Sequence, residues 1–268
     1  MKRITIKVGS NVLTRSDGTL DITRMSALTD QIAELHRRNI EIILVSSGAV
    51  ASGRSEVHPD MELDSVAARQ IFSAVGQAKL MNRYYDLFRS HGIACGQVLT
   101  TKSSLELPQH YENQKNCIES LLSCGIIPIV NENDTISVTE LMFTDNDELS
   151  GWMAQMMSCD MLVILSNIDG IYDGDPSEPS SSLVREVLPE AGDMSEYIQE
   201  SKSSQGRGGM MTKCSVARRV AAEGMPVVIA NGKREDVILR ILDGDPQLPC
   251  TRFVASGSSP VATHGAGA

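Results

Sequence analysis

The first candidate for chemistry is a glycine-containing stretch that follows an apolar run. SSGAVASGRS, residues 46–55, comes after IILV and carries Gly48, Gly53, Arg54 and Ser55. A nucleotide-binding P-loop has two glycines with four residues between them, then lysine and a hydroxyl residue, directly after a strand. Arg54 stands where that pattern needs lysine, and a planar guanidinium does not replace a mobile ammonium group beside phosphates. We therefore expect a different anion-binding loop, in which hydroxyls and a glycine turn at a helix start hold a carboxylate.

Two clusters of acidic and amide residues form the second candidate. NENDTIS occupies residues 131–137 and TDNDELS occupies residues 144–150. Carboxylates and amides in a pocket can bind the ammonium group of an amino acid, and they can equally orient lysines. Asn and Asp are also frequent at turns and helix caps. A pair of capped turns therefore stays open as a purely structural explanation.

Two further stretches combine glycine with basic residues. KVGS puts Lys7 at the end of a strand-like run with Gly9 behind it, where backbone N–H groups can approach an anion. GRGGMMTK, residues 206–213, has three glycines with Arg207 and Lys213. A glycine-rich loop that leads into a helix, with cations at both ends, suits a nucleoside triphosphate. An ordinary strand end and a plain surface loop are the alternatives.

The elements that must position these residues alternate along the chain. Strands are predicted over 3–8, 40–46, 93–100, 126–130, 161–166 and 226–230. Helices are predicted over 21–39, 63–90, 109–124, 145–158, 210–223 and 234–242. This alternation predicts an α/β fold with a parallel sheet covered on both faces. Ligands bind at the carboxyl ends of the strands in such folds, and polar stretches follow the strands that end at 8, 46, 130 and 166.

Overall composition limits the class of partner. The 268 residues include 24 Lys plus Arg and 34 Asp plus Glu, a net charge of -10. Such an acidic chain is a poor nucleic-acid binder, although a few lysines in one pocket can still bind a small anion, because surface charge is screened within about 10 Å. No apolar run approaches the roughly 20 residues that cross a bilayer, and the N-terminus does not resemble a signal peptide. The six cysteines lack metal-site spacing and fit reduced thiols. We expect a cytoplasmic protein without nucleic-acid or membrane partners and without a metal site built from protein ligands.

Taken together and in order, these stretches resemble the amino acid kinase family, and within it the glutamate 5-kinase branch. The motifs that carry the resemblance are IKVGSNVLT, SSGAVASGR, AVGQAKLM at 74–81, NENDTIS, TDNDELS and GGMMTK. The resemblance covers about residues 3–253 and implies an open, mainly parallel β-sheet sandwiched between helices. It implies a kinase domain over 1–254 and a flexible tail over 255–268. The C-terminal PUA domain that many glutamate 5-kinases carry is not expected in this chain.

The resemblance also implies a reaction and a set of site residues. ATP would phosphorylate the side-chain carboxylate of L-glutamate to L-glutamyl 5-phosphate, the first step toward proline, with Mg²⁺ held mainly by the nucleotide. Catalytic positions are matched by Lys7, Lys213 and Asp147, the aspartate orienting the lysines. Glutamate-binding positions are matched by Ser47, Gly48, Asn131, Asp134 and Asn146. Nucleotide-binding positions are matched by Lys7, Gly9, Ser166, Asn167, Arg207, Gly208, Gly209, Met210, Met211, Thr212 and Lys213.

Two departures from the family pattern concern the nucleotide. Ser166 and Asn167 stand where the family usually has threonine and aspartate, and Arg207 replaces the threonine before the paired glycines. The resemblance further implies a homo-oligomer, feedback inhibition by proline, and contact with glutamyl phosphate reductase. Two other functions stay open, namely a kinase of another acidic amino acid or metabolite and a catalytically silent amino-acid sensor of the same fold.

Overall fold

The structure, a computed structural model, describes residues 1–137, 145–176, 178, 180–189 and 209–257. Its strands are β1 (Arg3–Val8), β2 (Glu41–Ser46), β3 (Cys95–Thr100), β4 (Ile127–Glu132), β5 (Met161–Ser166), β6 (Ile171–Tyr172), β7 (Leu183–Val184), β8 (Glu186–Val187), β9 (Val227–Asn231) and β10 (Cys250–Phe253). Its helices are α1 (Ser10–Leu13), α2 (Ile22–Arg37), α3 (Ala49–Arg54), α4 (Ser65–Ser90), α5 (Lys102–Glu106), α6 (Pro108–Ser123), α7 (Asn146–Met156), α8 (Met210–Ala222) and α9 (Val237–Leu242). The expected tail falls mostly in residues 258–268, which lie outside the described residues.

One eight-stranded sheet organises the described chain, in the order β3-β4-β2-β1-β5-β9-β10-β8. Every neighbouring pair from β3 to β9 is parallel. The strand β10 runs antiparallel to β9, and β8 pairs with β10 in parallel. The predicted α/β fold is confirmed. The strands β6, β7, β8 and β10 were not predicted, because two to four residues are too few for a periodic pattern.

Alternation along β1 divides the core between the two faces of the sheet. Ile4, Ile6 and Val8 pack into one buried cluster, which includes residues of α2, α4 and α9. Thr5 and Lys7 belong to the other face, because successive side chains of a strand point in opposite directions. Residues of α7 and α8 cover that face. The central strand thus delivers one lysine, only 4% exposed, to the face under these two helices.

Four of the described helices, α2, α4, α5 and α7, begin after a side-chain cap. Asp21 accepts a hydrogen bond from the Arg24 N–H at 3.0 Å at the start of α2. Asp64 accepts from two backbone N–H groups at the start of α4. Such caps satisfy backbone donors that have no partner within the helix. All six predicted helices are present, and their observed ends differ from the predicted ends by a few residues.

Two glycines let α3 and α4 touch backbone to backbone. A Cβ atom added at Gly53 would lie 1.8 Å from the Phe72 carbonyl oxygen, and one added at Gly76 would lie 1.8 Å from the Ala49 carbonyl oxygen. Each position therefore excludes any larger side chain. The contact fixes α3, and with it the loop that connects β2 to α3.

Candidate active site

The carboxyl ends of β1, β2, β4 and β5 open onto one cavity of about 890 Å³. Residues of α1 and of the starts of α3, α4, α7 and α8 also contribute to its wall. The sequence-predicted residues in this wall are Lys7, Gly9, Ser47, Gly48, Asn131, Asp134, Asn146, Ser166, Asn167, Gly209, Met210 and Lys213. Residues from across most of the chain therefore meet in one place, as the parallel strand order requires.

The remaining predicted site residues either do not line the cavity or lie outside the described residues. Asp147 lies directly beneath the wall, where it is completely buried. Met211 and Thr212 belong to the first turn of α8 but do not contribute to the wall of this cavity, and Met211 is exposed. Arg207 and Gly208 lie outside the described residues.

Asp147 joins two lysines that are far apart in the sequence. Lys7 Nζ lies 2.5 Å from Oδ1 of Asp147, and Lys213 Nζ lies 2.9 Å from Oδ2. Burial by itself would raise the pKa of Asp147, but the two ammonium groups hold that pKa below its ordinary value. One carboxylate, in the first turn of α7, thus holds two cations side by side at the cavity.

Asp145 is a second buried carboxylate beside the first. Its Oδ1 caps α7 by accepting from the backbone N–H groups of Asp147 at 2.8 Å and Glu148 at 3.1 Å. Its Oδ2 is buried without a hydrogen-bond partner among the described residues. Burial, together with the charge of Asp147, raises the pKa of Asp145 to about 6. Asp145 lies in the motif TDNDELS, which could have marked it as a site residue.

An amide network ties four elements together at the floor of the cavity. The Nδ2 group of Asn146 donates to Ser47 Oγ at 2.9 Å and to Asn131 Oδ1 at 2.8 Å. Asn131 Nδ2 in turn donates to Gln77 Oε1 at 2.9 Å. Gln77 on α4 is a functional neighbour that the sequence reasoning missed, although it is part of the quoted motif AVGQAKLM. The network fixes the directions in which Ser47, Asn131 and Asn146 present their polar atoms.

A charged cluster occupies the end of the cavity near α4. Arg69 donates from Nε to Asp134 Oδ1 at 2.8 Å, and its Nη2 lies 3.5 Å from Glu132 Oε2. Burial raises the pKa of Asp134, an effect that Arg69 opposes. Ser137 Oγ donates to Glu132 Oε1 at 3.0 Å. Neither Arg69 nor Glu132 was assigned a role from the sequence: Glu132 lies within the motif NENDTIS, whereas Arg69 lies outside every quoted motif.

Backbone hydrogen bonds correct two details of the expected anion loops. The N–H of Gly9 donates to the Leu165 carbonyl at 3.1 Å, and the N–H of Ser47 donates to the Val8 carbonyl at 3.1 Å. These two donors join strand ends and are not directed at a ligand. Gly48 takes a left-handed φ of 103° and turns the chain into α3. Because Gly53 packs against α4, the stretch is not a P-loop, as the sequence analysis expected.

The loop after β5 is held by a bidentate ion pair. Arg234 donates to the two oxygens of Asp169 at 2.6 Å each, and Asn231 Nδ2 donates to Oδ1 at 3.1 Å. Hydrogen bonding from Arg234 lowers the pKa of Asp169. This pair anchors the loop that carries Ser166 and Asn167 to the cavity.

Among the described residues, no group of three or more His, Cys, Asp or Glu is arranged to hold a metal ion.

Comparison with known proteins shows which family this chain belongs to. The model of the amino acid kinase family matches residues 2–231. The chain belongs to the amino acid kinase family. A relative from Bacteroides thetaiotaomicron, named glutamate 5-kinase, is 65% identical over 254 residues, which cover 95% of this chain and 70% of that protein. A glutamate 5-kinase from Symbiobacterium thermophilum is 43% identical and covers 91% of this chain and 93% of its own length.

Two solved structures share the architecture. A substrate complex of isopentenyl phosphate kinase aligns with a TM-score of 0.65 at 17% identity, over 94% of this chain and all of that one (100%). The UMP kinase of Bacillus anthracis aligns with a TM-score of 0.64 at 17% identity, over 96% and 98% of the two chains. These likenesses show the fold.

None of the described helices combines the length and apolar character that a membrane span needs.

Proposed function

We propose that this protein transfers the γ-phosphoryl group of ATP to the side-chain carboxylate of L-glutamate. The product is L-glutamyl 5-phosphate, and the reaction is the first step of proline biosynthesis. The observation that carries the proposal is the pair of lysines joined by Asp147, between an amide-lined pocket and the glycine-flanked start of α8. The relatives named glutamate 5-kinase support the same substrate.

The chemistry needs charge neutralisation more than it needs a base. A glutamate side chain, with a pKa of about 4.3, is already ionised at neutral pH and can attack as it is. Its approach to a polyphosphate is opposed by about 4 kcal/mol for two unit charges about 4 Å apart at an effective dielectric of about 20. Lys7 and Lys213 supply two positive charges, which the buried Asp147 keeps in place before the substrates arrive. Such preorganised charges stabilise the transferring phosphoryl group.

The two substrates would occupy opposite ends of the cavity. Ser47, Asn131 and Asn146, fixed by their hydrogen-bond network, would orient glutamate, and Asp134 would accept its ammonium group. Ser166, Asn167 and the start of α8 would contact the nucleotide. Holding both reactants in line converts a bimolecular encounter into a step within one complex.

The proposal includes Mg²⁺, bound mainly through ATP oxygens and water. When bound, the ion neutralises charge on the phosphates. Asp145 fits a neighbouring hydrated cation. The residue contributes to the cavity wall, and its Oδ2 is buried without a hydrogen-bond partner among the described residues.

The test is ATP-dependent formation of the acyl phosphate, trapped by hydroxylamine as glutamyl hydroxamate, together with ADP release. We expect both to require L-glutamate and to fall strongly in Asp147→Asn. The matched control is Asp60→Asn, at an exposed position, which should keep wild-type rates. Aspartate, N-acetylglutamate and UMP serve as competing acceptors. A higher kcat/KM for one of these would assign another substrate, and glutamate binding without transfer would assign a sensor.

Proline is proposed as an inhibitor that shares the glutamate pocket. It carries an α-carboxylate and a cationic nitrogen but lacks the carboxylate that attacks ATP. A pocket formed by Ser47, Asn131 and Asp134 would therefore hold it without reaction.

The proposal also includes a cytoplasmic homo-oligomer that contacts glutamyl phosphate reductase. Co-elution of the two purified proteins would test that contact.

A further inference from the structure

A guanidinium and a carboxylate lie side by side at the substrate end of the cavity. Arg69 donates to Asp134, through Nε at 2.8 Å and also through Nη2, and Nη2 is 3.5 Å from Glu132. The side chain of Arg69 is 20% exposed, while those of Asp134 and Glu132 are 8% and 4% exposed. All three residues contribute to the cavity wall. The reaction proposed above uses Asp134 but gives Arg69 no role.

Such a pair complements the charged groups on the α-carbon of an amino acid. The substrate carries an ammonium and a carboxylate on one atom, and the protein offers a carboxylate and a guanidinium in direct contact. Arg69 has a planar fork of donors that matches a carboxylate. When Asp134 turns to the ammonium group, Glu132 still faces the guanidinium and keeps it at the cavity. The lysine pair is already engaged elsewhere in the site, because Asp147 holds both ammonium groups.

We propose that Arg69 binds the α-carboxylate of the substrate and thereby makes the site selective for α-amino acids. This inference rests on the proposed function, since it assigns a binding residue for the same substrate. Arg54 is a second arginine in the wall. It is exposed, and its guanidinium carbon lies 5.6 Å from the centre of the Phe72 ring. The proposal assigns the contact to Arg69 rather than to Arg54, because only Arg69 contacts the carboxylate expected to hold the ammonium group.

The experiment compares L-glutamate with its α-amide, which keeps the ammonium group and the reacting carboxylate but loses the α-carboxylate charge. Both kcat/KM values are measured for the wild type, Arg69→Gln, Arg69→Lys and Arg54→Gln. Arg83→Gln is the matched control, because Arg83 is exposed on the same helix α4. If the α-amide is not phosphorylated, its inhibition constant against glutamate replaces kcat/KM.

Arg69→Gln should lower kcat/KM for glutamate about 10- to 100-fold, the range for a hydrogen bond to a charged group. The value for the α-amide should stay within about threefold, so that the wild-type preference for glutamate collapses. Arg69→Lys should restore part of the preference, and Arg83→Gln should retain all of it.

Equal losses with both substrates would overturn the proposal, because Arg69 would then only hold the loop that carries Asp134. Loss of the preference in Arg54→Gln instead of Arg69→Gln would overturn it as well. A wild-type protein that transfers no phosphoryl group to glutamate would refute the proposed function. In that case calorimetric binding of glutamate and its α-amide to the same variants would still decide the role of Arg69.

Discussion

Asp145→Asn should make the protein more stable while it impairs the site. Asp145 caps α7 through one oxygen, and asparagine caps a helix about as well as aspartate does. The substitution therefore keeps the cap and removes a buried charge next to Asp147. What changes is electrostatics rather than packing, since the two side chains have nearly the same size.

The size of the effect follows from the pKa of this carboxyl group. Burial, and then the charge of Asp147, raises the pKa from 3.8 to about 6. The native state therefore binds this proton more tightly than the unfolded state does, and ionisation costs stability as pH rises between these values. This rise in pKa corresponds to about 3 kcal/mol above pH 6 and to a smaller amount at pH 5. Asp145→Asn should recover about these amounts.

The assay is urea-induced unfolding without ligands at pH 5 and pH 8. The free energy of unfolding of Asp145→Asn should exceed that of the wild type at both values, and the gain should be larger at pH 8 than at pH 5. Asp21→Asn, the same exchange at the N-cap of α2, is the control and should show no such pH-dependent gain. A variant no more stable at pH 8 than the wild type would refute the electrostatic reasoning. The kcat for glutamate should fall in the same variant, a cost often seen when a destabilising site residue is removed.

Four further expectations concern the reaction, the pocket and the fold. Lys213→Ala should lower kcat by about 10²-fold or more in steady-state assays and change the glutamate KM much less; near-normal kcat would remove this lysine from the mechanism. Asn146→Ala should mainly raise the glutamate KM and leave the ATP KM nearly constant; the reverse pattern would exchange the two ends of the cavity. Proline should compete with glutamate, and Asp134→Ala should weaken both, in initial rates over a grid of the two compounds; inhibition undiminished at saturating glutamate would point to a separate site. Gly76→Ala should reduce the free energy of unfolding in urea by about 1–3 kcal/mol or more through its clash with the Ala49 carbonyl; an unchanged midpoint would contradict the close helix contact.

Local patterns in the sequence determined most of the elements. The spacing of Met25, Leu28, Ile32 and Leu35 marks one face of α2, and all four are buried. The strands β2 and β5 read as continuous apolar runs, and a sheet covered on both faces requires such strands. Because these signals act over a few residues, they need no knowledge of the rest of the chain. The motif order also marked most of the cavity wall.

Only the tertiary structure decided how the marked residues meet. Lys7 and Lys213 share the carboxylate of Asp147 because the sheet order sets β1 between β2 and β5, under α7 and α8. The pairing of Arg69 with Asp134 joins α4 to the segment after β4, and no local pattern encodes that contact.

The raised pKa of Asp145 likewise depends on burial, a property of the packed molecule. Gly53 and Gly76 lie in separate motifs whose shared purpose is visible only where α3 and α4 touch. The sequence by itself therefore determined the elements and the residue types at the strand ends. Packing decided their distances, charges and partners, because contacts between distant segments form only when the whole sheet and its covering helices are assembled.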